Sequence, residues 1–102
     1  MEINTLENNT GKVVRVLLVD DEDNYRKAVA RRLERRNMVV SQAADGIACL
    51  EYLGGNEADV VVLDMKMPGM SGMETFKDIR KYYPGLKVIF LTGHADLTEG
   101  VE

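Results

Sequence analysis

Four consecutive apolar residues, Val60-Val61-Val62-Leu63, run straight into an acid, Asp64, and then into a Pro68-Gly69 turn. Strict alternation of apolar and polar residues would give a strand with one wet face. An unbroken run rich in β-branched residues instead needs cover on both faces. Such a strand belongs in the middle of a parallel sheet, with helices above and below it. Open sheets of this type gather their chemistry at the carboxyl ends of the strands. Taken alone, Asp64 has two readings, a carboxylate that caps a turn or a residue of a site.

A second acidic strand end favours the site. Val13-Val14-Arg15-Val16-Leu17-Leu18-Val19 is nearly continuous in apolar character and stops at Asp20-Asp21-Glu22-Asp23. A helix is expected over roughly 24–37, with Tyr25, Val29 and Leu33 repeating every four residues on one face. Arg26, Lys27, Arg31, Arg35 and Arg36 fall mostly off that stripe. Asp23 is the expected N-cap, and the acids before the helix suit its positive end. The stretch from Met38 to Ala43 reads as a shorter second strand. Asp45-Gly46 turns the chain into a short helix with Ile47, Leu50 and Leu53 on its packed side, closed by Gly54-Gly55. After the central strand, Met73, Phe76, Ile79 and Tyr83 mark a third helix, which Pro84-Gly85 ends. Lys87-Val88-Ile89-Phe90-Leu91 is a fourth strand, followed by Thr92-Gly93-His94, and a further helix could open near Asp96. The polar segment 1–12 is expected to be a loose tail.

Strand and helix thus alternate, with short connections, which implies one parallel sheet with crossover helices on its faces. At 102 residues one domain is expected, over 13–102. The net charge of −4, from 17 acids against 13 bases, argues against a nucleic-acid-binding face. Cys49 has no partner for a disulfide and no metal spacing; it reads as a small buried hydrophobe in or beside the packed face of the second helix. A reducing, cytoplasmic setting follows, and no apolar run approaches the length that crosses a membrane.

In a parallel sheet all carboxyl ends lie along one edge. If the first and third strands are neighbours, Asp20, Asp21 and Asp64 converge in one shallow cleft. Clustered carboxylates repel and need a cation to stay ionised together. With no His or Cys set beside them, a hard ion of the magnesium type fits. A carboxylate beside such an ion can attack phosphorus and form an acyl phosphate. A hydroxyl near the phosphoryl oxygens, which Thr92 could supply, would stabilise their charge.

The same residues carry a family resemblance. Leu17-Leu18-Val19-Asp20-Asp21-Glu22, Leu63-Asp64-Met65-Lys66-Met67-Pro68-Gly69-Met70-Ser71-Gly72 and Leu91-Thr92-Gly93-His94-Ala95 resemble the receiver domain of bacterial two-component response regulators. The resemblance implies a flavodoxin-like (CheY-like) doubly wound sheet with strand order 2-1-3-4-5, here running only through the fourth strand. It implies Asp64 as phosphoacceptor and Mg2+ held by Asp20, Asp21, Asp64 and the backbone carbonyl of Lys66, with Asp20 acting mainly through water. Thr92 would be the switch hydroxyl. Lys66 and His94 match two variable positions that tune loss of the phosphoryl group, although His94 also reads as an exposed loop residue. The implied partner is a sensor histidine kinase or a phosphotransfer protein. The domain would accept and lose a phosphoryl group without being a turnover enzyme.

The family pattern continues through a fourth helix, a fifth strand ending in a phosphoryl-binding lysine, and a fifth helix. No lysine follows Lys87. The chain is expected to be part of a longer regulator, or else a short receiver. As it stands, its fourth strand would be a sheet edge and apolar surface would lie open, so marginal stability or self-association, as a homodimer or by swapped elements, is expected. Three other readings stand beside this one. An aspartyl phosphatase usually has a second acid two residues after its nucleophile, where Lys66 stands. A dinucleotide or flavin binder lacks its Gly-x-Gly-x-x-Gly after the first strand. A phosphate-independent interaction module is the principal alternative.

Overall fold

The computed structural model describes residues 12–67 and 69–91. The elements run β1 (Arg15–Val19), α1 (Asp23–Glu34), β2 (Val39–Ala43), α2 (Gly46–Gly55), β3 (Val60–Asp64), α3 (Gly72–Tyr82) and β4 (Lys87–Leu91). The strands form one parallel sheet in the order β2-β1-β3-β4. This is the doubly wound order expected over the described strands. The expected tail, apart from Lys12, lies outside the described residues, as do Thr92, Gly93, His94 and the helix near Asp96.

β1 and β3 occupy the middle of the sheet. From Val16 to Val19, and from end to end of β3, every residue is buried. Their side chains divide by parity. Val16, Leu18, Val60 and Val62 pack with Val29, Ala30 and Leu33 of α1 on one face. Leu17, Val19, Val61 and Leu63 pack with Cys49 and Leu53 of α2 and Ile79 of α3 on the other. Each such leucine or valine, fully removed from water, contributes about 1.5–3 kcal/mol before chain entropy is charged against it. This two-sided burial is what the unbroken apolar runs require.

Three helix details depart from the sequence reading. The N-cap of α1 is Glu22, whose carboxylate accepts from the amides of Asn24 and Tyr25, and Asp23 is the first helical residue. Ile47 is 59% exposed; α2 packs instead through Gly46, Cys49 and Leu53. Met73 is 44% exposed, and Gly72, Thr75 and Ile79 are the residues that α3 buries. The contact between α2 and α3 explains both shifts. A side chain at Gly46 would overlap the hydroxyl of Thr75 and crowd Met70. The closest approach therefore needs a residue without a side chain, and the larger apolar neighbours turn outward.

Candidate functional site

Register places the acids. Val19 of β1 pairs with Leu63 of β3, so the next residue on each strand, Asp20 and Asp64, lies side by side at the carboxyl edge. Asp64 pairs with Leu91 of β4, and the amide of Met65 donates to the Leu91 carbonyl at 3.3 Å. One carboxylate oxygen from each of Asp20, Asp21 and Asp64 lies within 4.8 Å of the others. Asp20 and Asp64 are buried, Asp64 only 3% exposed, while Asp21 faces solvent. The sequence expectation that these three meet is met.

Two loops hold them there. In the first, the Asp20 amide donates to the carbonyl of Ala43 in β2 at 3.1 Å. The Asp20 carboxylate accepts from the Glu22 amide at 2.8 Å, a local turn that frees Glu22 to cap α1. In the second, Asp64 Oδ1 accepts from the Lys66 amide at 3.1 Å. That loop swings through Gly69 at φ 74°, a left-handed conformation suited to glycine. It closes on α3, where Gly72 donates to the Met65 carbonyl at 3.3 Å. A Cβ on Gly72 would overlap the Asp64 carbonyl oxygen, so α3 begins directly against the site. Ser71 and Glu74 form a reciprocal capping box: Glu74 N donates to Ser71 Oγ at 3.1 Å, and Ser71 N to Glu74 Oε1 at 2.8 Å. The Ser-x-x-Glu spacing announces this helix start in the sequence.

Electrostatics follow from crowding. Burial pushes the Asp64 carboxyl up to about 6. The Lys66 amide pulls it down, while the charges of Asp20 and Asp21 and a shared hydrogen bond with Asp21 push it up again. The phenol of Tyr25 is also raised, by burial and by the charges of Asp20 and Asp64, which puts it within the field of the cluster. The donor set is therefore all oxygen, anionic and open to solvent on the Asp21 side. It fits a hard divalent ion that keeps part of its water shell, and among the described residues no His or Cys joins it.

Arg26 is the residue that sequence reasoning missed. Grouped with the basic residues that fall mostly off the apolar stripe of α1, it is only 9% exposed and reaches the acidic loop. A hollow of about 420 Å³ lies at the far, amino end of the sheet, lined in part by Arg15, Asp59 and Tyr83. There the two acids, Asp59 and Glu57, are already engaged with Arg15. The three acids that meet lie at the opposite, carboxyl edge.

A parallel sheet of this order with three acids at the ends of its middle strands defines a receiver-type signalling fold. The sequence model described as "Response regulator receiver domain" matches residues 16–102, and the chain belongs to that family. Among curated proteins it is 42% identical over 83 residues to the sensor kinase CckA of Brucella abortus, covering 79% of this chain and 9% of that protein. It is 37% identical over 87 residues to the C4-dicarboxylate transport transcriptional regulatory protein DctD of Rhizobium meliloti, covering 85% of this chain and 19% of that protein. The chain thus spans a small part of these relatives' length. Among solved structures, the response regulator TrrA of Thermotoga maritima in complex with Mg2+–BeF superposes with a TM-score of 0.76 at 32% identity, covering 85% of this chain and 76% of that one. A second structure, the histidine kinase ThkA in complex with TrrA, matches with a TM-score of 0.76 at 35% identity, covering 80% of this chain and 71% of that one. No helix among the described residues is long and apolar enough to cross a membrane.

Proposed function

We propose that the chain is a phosphorylation-dependent receiver in which Asp64 takes a phosphoryl group from a phosphohistidine of a sensor kinase or phosphotransfer protein. The observation that carries this is the meeting of Asp20, Asp21 and Asp64 within 4.8 Å at the carboxyl edge of the sheet. Relatives solved with Mg2+–BeF and with a histidine kinase support it.

Asp20, Asp21, Asp64 and the Lys66 carbonyl would hold Mg2+, which when bound supplies charge neutralisation at the phosphoryl oxygens. An oxygen of Asp64 attacks phosphorus; an O–P bond forms as the N–P bond breaks. The imidazole leaves with the electron pair and takes a proton from solvent. The Lys66 amide, already bonded to Asp64 Oδ1, fixes which oxygen faces the donor. The acyl phosphate carries a charge of about −2 at the edge of β3, in place of the single carboxylate charge. Thr92, which follows Leu91 in the sequence, would turn its hydroxyl towards that charge and pass the change to the following loop. The domain acts as a cytoplasmic switch with no turnover of substrate.

Phosphotransfer from a phosphohistidine protein to the wild type and to Asp64→Asn tests the reading. The label on the wild type is identified as an acyl phosphate by its lability to hydroxylamine. Equal labelling of both proteins would refute Asp64 as acceptor. No labelling of either, with no Mg2+-dependent change in the domain, would favour the phosphate-independent module.

A further inference from the structure

We infer that Arg26 is a positioning residue for the acidic site, fixing the Asp20–Asp21 peptide so that the Asp21 carboxylate is held ready for a divalent ion. The inference rests on the metal-binding part of the proposed function and adds a residue to it.

The guanidinium sits under the loop between β1 and α1. Nη1 donates to the backbone carbonyl of Asp20 at 2.7 Å and pairs with Asp23 Oδ1 at 2.9 Å. Nε donates to Gln42 Oε1 on β2 at 2.9 Å. A buried charge is tolerable only when it is paired and hydrogen-bonded, and these partners satisfy it. The carbonyl it grips belongs to the peptide joining Asp20 to Asp21. The amide side of Asp20 is held by Ala43, and the Glu22 amide by the Asp20 carboxylate. Arg26 supplies the hold on the carbonyl between those two points. Asp21 is the exposed member of the three acids, and its place follows from the peptide plane before it.

Charge and geometry predict opposite signs, which makes the role testable. A buried cation behind the acidic loop, bonded to the Asp20 carbonyl, opposes a second cation nearby, so removing it by charge alone would tighten the metal. Removing it as a clamp lets the Asp20–Asp21 peptide turn and loosens the metal. Residues that orient ligands from behind typically matter by about 10–100-fold in metal affinity.

The test is binding of Mn2+, counted by the loss of its free-ion electron paramagnetic resonance signal, and of Mg2+ by competition against it. Arg26→Met is expected to weaken both about tenfold. Arg26→Lys, which can reach the Asp20 carbonyl but not Gln42 at the same time, should recover part of the loss. Val29→Ala, a core change on the same helix, should lower stability without moving the affinity. Gln42→Leu, at an exposed position, should weaken binding about twofold and add little to Arg26→Met, as members of one network do. Unchanged or tighter binding in Arg26→Met overturns the inference while leaving the proposed function intact. If Arg26→Met does not fold, unchanged binding in Gln42→Leu overturns it instead. A wild type that binds neither ion sinks the metal-dependent part of the proposed function and this inference together.

Discussion

Replacing Asp64 by Asn should make the metal-free domain more stable, because the wild-type site is built at a cost. The Asp64 carboxyl titrates near 6 in the folded chain against an ordinary value of 3.8. A raised folded value means the native state binds the proton more tightly than the unfolded chain does. The stabilisation is fully present below about pH 4 and is lost as pH rises through about 6. Above that, the ionised carboxylate costs the fold on the order of 2–3 kcal/mol, at 1.36 kcal/mol for each pH unit of displacement. Asn keeps the oxygen that accepts from the Lys66 amide and drops the charge that burial and Asp20 and Asp21 oppose. In urea titrations in chelator at about pH 8, the gain should approach that figure; at about pH 4 it should shrink towards zero, since the wild type is then protonated as well. Added Mg2+ should stabilise the wild type by mass action and leave the variant nearly unmoved, narrowing or reversing the order. A variant no more stable than wild type in chelator at the higher pH would refute the argument. So would a gain of equal size at both pH values, because the cost of the charge, from burial first and from Asp20 and Asp21 second, is the part of the difference that titrates there.

Other outcomes follow from packing. Gly72→Ala places a methyl group onto the Asp64 carbonyl oxygen and the backbone of Met65, so α3 must retreat. A loss of about 1–3 kcal/mol in chemical denaturation, together with weaker Mg2+ binding, is expected. Ser71→Ala removes one half of the α3 capping box and should cost about 1 kcal/mol by the same measurement. The Cys49 thiol is buried and pushed up to about 12 by that burial, so it should stay silent to a thiol reagent until the domain unfolds. Ile47→Lys, at an exposed position on α2, should change stability by less than about 0.5 kcal/mol.

The features legible in the sequence are those whose physics is written in side-chain polarity along the chain. Val60 to Leu63 had to be covered on both sides, and the neighbouring pair β1 and β3 then brings Asp20 beside Asp64 because each follows one member of a register pair. The helices were less legible, and the reason lies in what makes a close contact. Gly46 and Gly72 are buried because another element comes too near for a side chain. A search for large apolar residues passes over such positions and selects the neighbours, Ile47 and Met73, which the structure turns outward.

Arg26 was hidden for a related reason. Its burial depends on a backbone carbonyl, a carboxylate and a side-chain amide supplied by three other positions, and none of these leaves a trace in a pattern of apolar spacing. The same holds for Glu22, which caps α1 only because Asp20 folds the preceding turn onto its amide. Asp23 is thereby released to pair with Arg26. The four residues from Asp20 to Asp23 therefore divide among acidic cluster, turn, helix cap and ion pair. A sequence shows that they are acidic; only their partners decide which task each one has. The residues best hidden from periodicity are for that reason the ones most closely tied to the site, since a polar side chain is worth burying only where its bonds hold something in place.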